Sequence, residues 1–414
     1  MDWERWIRPG DHLVCSHMSA EPVALLQSLA QAALPHAMQL MLGVPFSLAA
    51  AELPAPCEIT TYGGMGSASQ LALRRVLHLS PLHYGRSAKV YEQGLWPCDV
   101  ALVSLARASD GTLHLGASHG PLLAAARRAR HVIAEINAQA PCVPGAPWPT
   151  DLPITAVIET DHVLAPLREP APTAAEQGIA REIAALVPDG ACLQVGIGAL
   201  PSAALAALGD HRHLGVHSGS LSDSLQALVD TGAVDHSRKT IDAGVAVVGS
   251  VLGTHALYRA AHQNPALCLR EPGYTHDAAV LAAIDDFFSL NSAIEVDLLG
   301  NVNAECVAAS DGHWRHVGGV GGLPEFVRAA RLSRNGQAVI ALPARTPRDK
   351  PRIVARLNGP CTIAATDADC VVTEFGVARL RDASYGQRVR QMLDIAHPDD
   401  RDTLTASARA IGLL

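Results

Sequence analysis

The chain is poor in lysine, in aromatic residues and in long apolar runs, and each shortage removes a class of function. Lysine occurs only at 89, 239 and 350, so nearly all positive charge is arginine. With a net charge of −8 and no basic stripe, no nucleic acid partner is expected. No run of eighteen apolar residues is present, and the opening MDWERWIRPGD lacks an apolar signal core. Neither membrane insertion nor secretion is therefore expected, which leaves the cytoplasm. The nine cysteines are scattered and never spaced as C-x-x-C, against both a disulfide framework and a structural zinc site. No H-E-x-x-H pattern is found among the nineteen histidines, so no metal is assigned. A G-x-S-x-G elbow is missing too, and Ser220 and Ser222 read as turn and cap residues.

What is present is a large apolar complement. Hydrophobic residues make up 49% of 414 positions, enough for two or three domains. Short β-branched runs alternate with Ala/Leu/Arg helical stretches, the pattern of an α/β protein with mostly parallel sheets. Pro9 to Ala30 aligns without a gap on Pro188 to Gly209, with Pro9 on Pro188 and Pro22 on Pro201. Both segments read as turn, apolar strand, proline-closed loop and Ala/Leu helix. Leu115 to Pro141 similarly resembles Val317 to Pro347. A duplication explains this, and so does the general likeness of α/β units. The prolines of Pro166 to Gln177 suggest a linker, dividing the chain into domains 1–172 and 173–414.

Ser289 to Ala309 reads as a buried strand running into a glycine turn, yet it carries Glu295 between Ile294 and Val296. Its counterpart in the first half is Val103, approximately. A buried carboxylate costs several kcal/mol unless it is paired or functional. Two readings fit: an ion pair with arginine or an edge position facing water, and a reacting group. Asp297 and Glu305 are lesser candidates for that role.

Three glycine loops accompany this strand. Gly196, Ile197 and Gly198 should end a strand just before a helix, where free N–H groups attract an anion. A dinucleotide fold is disfavoured, because Pro201 stands where the third glycine belongs and the next strand ends without an acidic residue. Gly319, Val320, Gly321 and Gly322 precede a second helical run, and Gly376 follows the apolar Cys370 to Thr373. Arg345, Arg348, Lys350, Arg352 and Arg356 form a basic stretch that reads as a solvated loop, with phosphate contact as the alternative.

Taken in order, QVGIGALP, GTHALY, NSAIEVDLLGNVNAE, GGVGG, VTEFGVARLR and IAHP resemble the acetyl-CoA hydrolase/transferase family, which includes 4-hydroxybutyrate, butyrate, succinate and itaconate CoA-transferases. The resemblance spans nearly the whole chain and is strongest from about residue 188. It implies two tandem CoA-transferase-type α/β domains, a homodimer, and no tightly bound cofactor. It also implies that Glu295 attacks an acyl-CoA thioester, passing through an acyl-glutamyl anhydride and a glutamyl-CoA thioester to a small carboxylic acid acceptor. Hydrolysis by the same glutamate is the alternative. Gly376 is implied as a backbone donor to the oxyanion, with Gly196 to Gly198 and Gly319 to Gly322 bounding the acyl and CoA pocket. A glutamate, ionised at neutral pH, needs no base beside it, and oxyanion donors must supply the acceleration. Gly219, Leu323, Glu325 and Pro351 depart from the family pattern, which bears on acyl specificity.

Overall fold

The computed structural model describes every residue except Ala33, Arg75, Ser310 and Asp311. It forms two compact units: Met1–Arg168 with Ser220–Asp223 and Val247–Thr275, and Glu169–Gly219 with Ser224–Ala246 and His276–Leu414. The chain thus returns twice to its first unit, where the sequence suggested one cut. Part of the supposed linker is helical. Thr173 accepts from the Glu176 N–H and the Glu176 side chain accepts from Thr173 N, a reciprocal cap that starts the helix Ala174–Ala184.

In the first unit the sheet runs Leu77–Leu79, Cys57–Thr61, Met38–Gly43, His12–Cys15, Val100–Arg107, His131–Asn137, Ala156–Thr160, with all of these neighbours parallel. Leu113–His114 adds an antiparallel piece to Val100–Arg107. The strand Val100–Arg107 is buried on both faces, as a near-continuous apolar run in a parallel sheet should be. Alternate residues Leu13, Cys15, Leu40, Leu42 and Ile59 share a core with Leu25, Leu26 and Leu29 of the helix Val23–Ala32.

In the second unit, which holds Gly215–Leu221 as far as Gly219, the parallel order is Gly215–Leu221, Cys192–Val195, Phe287–Ser292, Gln337–Ala341, Cys370–Thr373. Gly376–Arg379 folds back antiparallel on the last of these. The helix Leu323–Leu332 buries Phe326, Val327, Ala329 and Ala330 in this unit's core. The expected single strand through Glu295 is in fact two. Phe287–Ser292 ends in the main sheet, and Glu295–Asp297 belongs to a small sheet between Val302–Asn303, antiparallel, and Ile353–Val354, parallel. Nothing in the apolar Ala293–Ile294 connection marks that change of sheet.

Buried histidines give the fold a pH dependence. Burial lowers His17 and His236 to about 4 and His276 to about 3, with Lys239 adding to the effect at His236 and His217 at His276. Each is neutral in the native state and protonates near 6.5 when unfolded, so the unfolded chain binds more protons below 6.5 and stability falls with pH through that window. Burial raises Glu21 and Glu135, which acts in the opposite sense, but it also lowers His114, His119 and His131, so lowered histidines outnumber raised glutamates. The melting temperature is expected to fall steadily from pH 7 to pH 5 in calorimetry; a rise would contradict this assignment.

Candidate active site

Strand alternation sets the direction of Glu295. Val296 is fully buried in the core, so Glu295 and Asp297 project from the opposite face. Glu295 is only 8% exposed and, among the described residues, makes no ion pair, which removes both structural explanations for a carboxylate here. Four hydrogen bonds hold it instead, unequally divided. Oε1 accepts from Asn303 Nδ2 at 3.1 Å, Asn358 N at 2.7 Å and Gly359 N at 3.1 Å. Oε2 accepts from Asn358 Nδ2 alone, at 2.9 Å. All these partners are donors, the complement of a carboxylate.

The donors come from two directions. Asn303 lies directly across the small sheet, paired with Glu295, and its Oδ1 accepts from Glu305 N and Cys306 N, which fixes its amide orientation. Asn358 and Gly359 sit on the loop after Ile353–Val354, which docks back through Val302 N to Ile363 O at 2.9 Å and Thr362 N to Val302 O at 2.7 Å. Glycine is required at 359 because a Cβ would overlap the Asn303 amide.

Topology brings the Gly196 to Gly198 loop, the segment leading to Glu295, and Gly376 to the same end of the sheet. Strands Cys192–Val195, Phe287–Ser292, Gln337–Ala341 and Cys370–Thr373 are neighbours, and a parallel sheet spaces them by about 4.8 Å each. Gly196 and Gly198 follow the first of these, Glu295 the second, and Gly376 the last. Beneath Gly196 lies a buried amide and hydroxyl network, with Ser289 Oγ to Gln194 Oε1 at 2.6 Å and Asn291 Nδ2 to Gln194 Oε1 at 2.9 Å. Gly196 N itself donates to Leu290 O. Gly198 is the N-cap of the helix Ala199–Ala206, with φ 131°. Gly376, at φ 132°, faces Thr373 across a two-residue hairpin. In the Gly319 to Gly322 loop, a Cβ at Gly322 would overlap the His276 ring. The same ring is 3.3 Å from where a Cβ of Gly219 would lie. An imidazole therefore fills the space beside Gly219. The chain enters this loop through Val317 N and Gly318 N, each donating to Glu305 O at 3.0 Å.

The lesser candidates have other employment. Asp297 caps its own turn, accepting from Leu299 N, Asn301 N and Asn301 Nδ2. Glu305 accepts from Thr362 Oγ1 at 2.8 Å. Arg345 is committed to Asp400 and Asp349, and Arg352 donates from Nη1 to Ala293 O. Among the described residues no cysteine is in a disulfide, and no His, Cys, Asp or Glu cluster could hold a metal. Asn303, Asn358 and Gly359 were not singled out from the sequence. Asn358-Gly359 reads there as a turn dipeptide, and backbone donors leave no side-chain signature.

Residues 253–408 match the model of the acetyl-CoA hydrolase/transferase C-terminal domain. A 4-hydroxybutyrate coenzyme A transferase of Clostridium kluyveri is 33% identical over 329 residues, 78% of this chain and 76% of its own length. The chain belongs to the acetyl-CoA hydrolase/transferase family. A second family relative, a succinyl-CoA:cyclohexane-1-carboxylate CoA transferase of Geobacter metallireducens, is 36% identical over 76% of this chain and 72% of its own. Among solved structures, RipA from Yersinia pestis superposes with a TM-score of 0.91 at 29% identity, covering 99% of this chain and 96% of that one. The hydrolase branch of the family is represented by an acetyl-CoA hydrolase of Kluyveromyces lactis, 28% identical over 51% of this chain and 39% of its own.

Proposed function

We propose that the protein is a CoA-transferase that moves CoA from a short-chain acyl-CoA to a free carboxylic acid, with Glu295 as the covalent relay. The observation that carries this reading is the unequal treatment of its two oxygens. Among the described residues Oε1 has three donors and is anchored; Oε2 has one and keeps lone pairs for attack.

The steps follow from that asymmetry. Oε2 attacks the thioester carbonyl, whose oxyanion takes the Gly376 N–H, and the C–S bond breaks to release CoA thiolate. The product is an anhydride bridged by Oε2. Thiolate then attacks Cδ of Glu295, and negative charge develops on Oε1, where Asn358 N, Gly359 N and Asn303 Nδ2 already point. The donor acid leaves with Oε2, giving the glutamyl-CoA thioester. An acceptor carboxylate attacks Cδ, thiolate departs and returns to the acceptor's acyl carbon, and Glu295 is regenerated with an oxygen from the acceptor. Gly196 to Gly198 and Gly319 to Gly322 bound the acyl and CoA pocket in this scheme. No tightly bound cofactor is required.

A homodimer and a cytoplasmic location complete the proposal. No helix among the described residues is long and apolar enough to cross a membrane. Hydrolysis by the same glutamate is the second reading, favoured only by the hydrolase relatives, with water in place of the acceptor.

Acyl-CoA treatment followed by borohydride reduction should convert the glutamyl thioester to an alcohol on the peptide containing Glu295. A label on any other residue overturns the assignment. Release of free CoA at equal rate with and without acceptor acids would make the protein a hydrolase instead.

A further inference from the structure

Trp314 is an exposed aromatic residue hydrogen-bonded to the loop that holds Glu295. Its indole is 55% exposed, whereas Trp3 is 2% and Trp148 9% exposed. A tryptophan in that state leaves a large apolar face in water, which folding alone does not favour. The ring is nonetheless held in place. Nε1 donates to Asn358 O at 2.9 Å, and Asn358 is the residue that meets Glu295 through both its backbone and its side chain.

The strand Trp314–His316 is fixed at its other end as well. It pairs antiparallel with Cys306–Ala308, placing Ala308 opposite Trp314 and Cys306 opposite His316. Cys306 Sγ lies 3.2 Å from His316 Nδ1, and Cys306 N donates to Asn303 Oδ1. Val317, 37% exposed, follows directly and donates its N–H to Glu305 O. One end of this hairpin is therefore tied to Asn303 and the other to Asn358, the two side chains that hold Glu295.

We propose that the Trp314 ring is the wall on which the pantetheine arm of the CoA thioester lies. This rests on the reading of Glu295 as the acyl relay. An arm of methylenes, a geminal dimethyl group and two amides suits a flat, half-exposed indole set one residue away from the carboxylate. The hydrogen bond to Asn358 means that a substrate pressing on the ring also steadies the loop that presents N–H groups to Oε1.

The test separates ring contact from clamp support. Trp314→Ala should raise the KM for acyl-CoA about tenfold, the usual scale for losing one large aromatic contact. Trp314→Phe keeps a flat ring but not the N–H, so KM should stay within about threefold while kcat falls modestly. CoA and pantetheine should each quench tryptophan fluorescence in the wild type and in Glu295→Gln, and the quench should vanish in Trp314→Phe. An unchanged KM in Trp314→Ala, or a quench that persists in Trp314→Phe, overturns the proposal. Quenching by CoA but not by pantetheine would place the nucleotide on the ring and overturn the arm assignment. Were Glu295→Gln to remain active, the relay reading would fail, while these binding results would stand or fall on their own.

Discussion

Glu295→Gln is expected to abolish CoA transfer, with kcat lower by roughly 10⁴-fold or more, the scale seen when a covalent nucleophile is removed. An amide cannot form the anhydride, and no neighbour can replace it. Asp297 is bound into its turn by Leu299 and Asn301, and Glu305 by Thr362. The fold should survive. Glutamine keeps the shape and the three donors on Oε1, and the one conflict is its new NH₂ against Asn358 Nδ2, formerly 2.9 Å from Oε2. Rotation of the Asn358 amide relieves that by presenting its oxygen. A melting temperature within a few degrees of wild type, together with loss of borohydride-trappable intermediate, is the expected pair of results. Retention of even one per cent of activity would mean that another group carries the acyl chain. Glu295→Asp is informative beside it, because one methylene fewer draws the carboxylate away from Asn358 N and Gly359 N, and turnover should be poor although the charge is kept.

The position of Glu295 was visible in the sequence because charge in an apolar run has few innocent explanations, and the structure removes the two that there were. Its setting was less visible. Ile294 and Val296 read as one strand with Phe287–Ser292, although the chain changes sheets there without a glycine or proline to show it. The parallel core could be read from runs such as VALVSLA, since burial on both faces leaves no polar alternation. The return of Val247–Thr275 to the first unit could not, because composition does not shift at its ends. Asn358 and Gly359 lie 63 and 64 residues from the carboxylate they hold, and their contribution is mostly main-chain N–H. Trp314 sits in the polar stretch SDGHWRH, where a lone aromatic gives no periodic pattern to read.

Asn303 should be nearly as sensitive, and two substitutions distinguish how it acts. Its Nδ2 donates to Glu295 Oε1 and to Cys306 O, at 3.1 and 2.9 Å, while its Oδ1 accepts from Glu305 N and Cys306 N. Asn303→Ala removes one of the three donors facing Oε1, and loss of such a donor to a developing oxyanion typically costs about 10²–10³ in kcat. It also leaves two buried N–H groups unsatisfied, a stability loss of about 1–3 kcal/mol each that a melting curve would register. Asn303→Asp keeps the acceptor for those N–H groups and so spares the fold, but sets a second carboxylate against the first. Two carboxylates in contact share a proton, raising the pH at which the second ionises. Glu295 attacks only when deprotonated, so the rate of Asn303→Asp should climb with pH over a range in which Asn303→Ala is flat. A residue that merely held the hairpin in place would slow both variants equally at every pH. Parallel profiles, or wild-type kcat in Asn303→Ala, would show that Asn303 supports the loop without acting on the carboxylate.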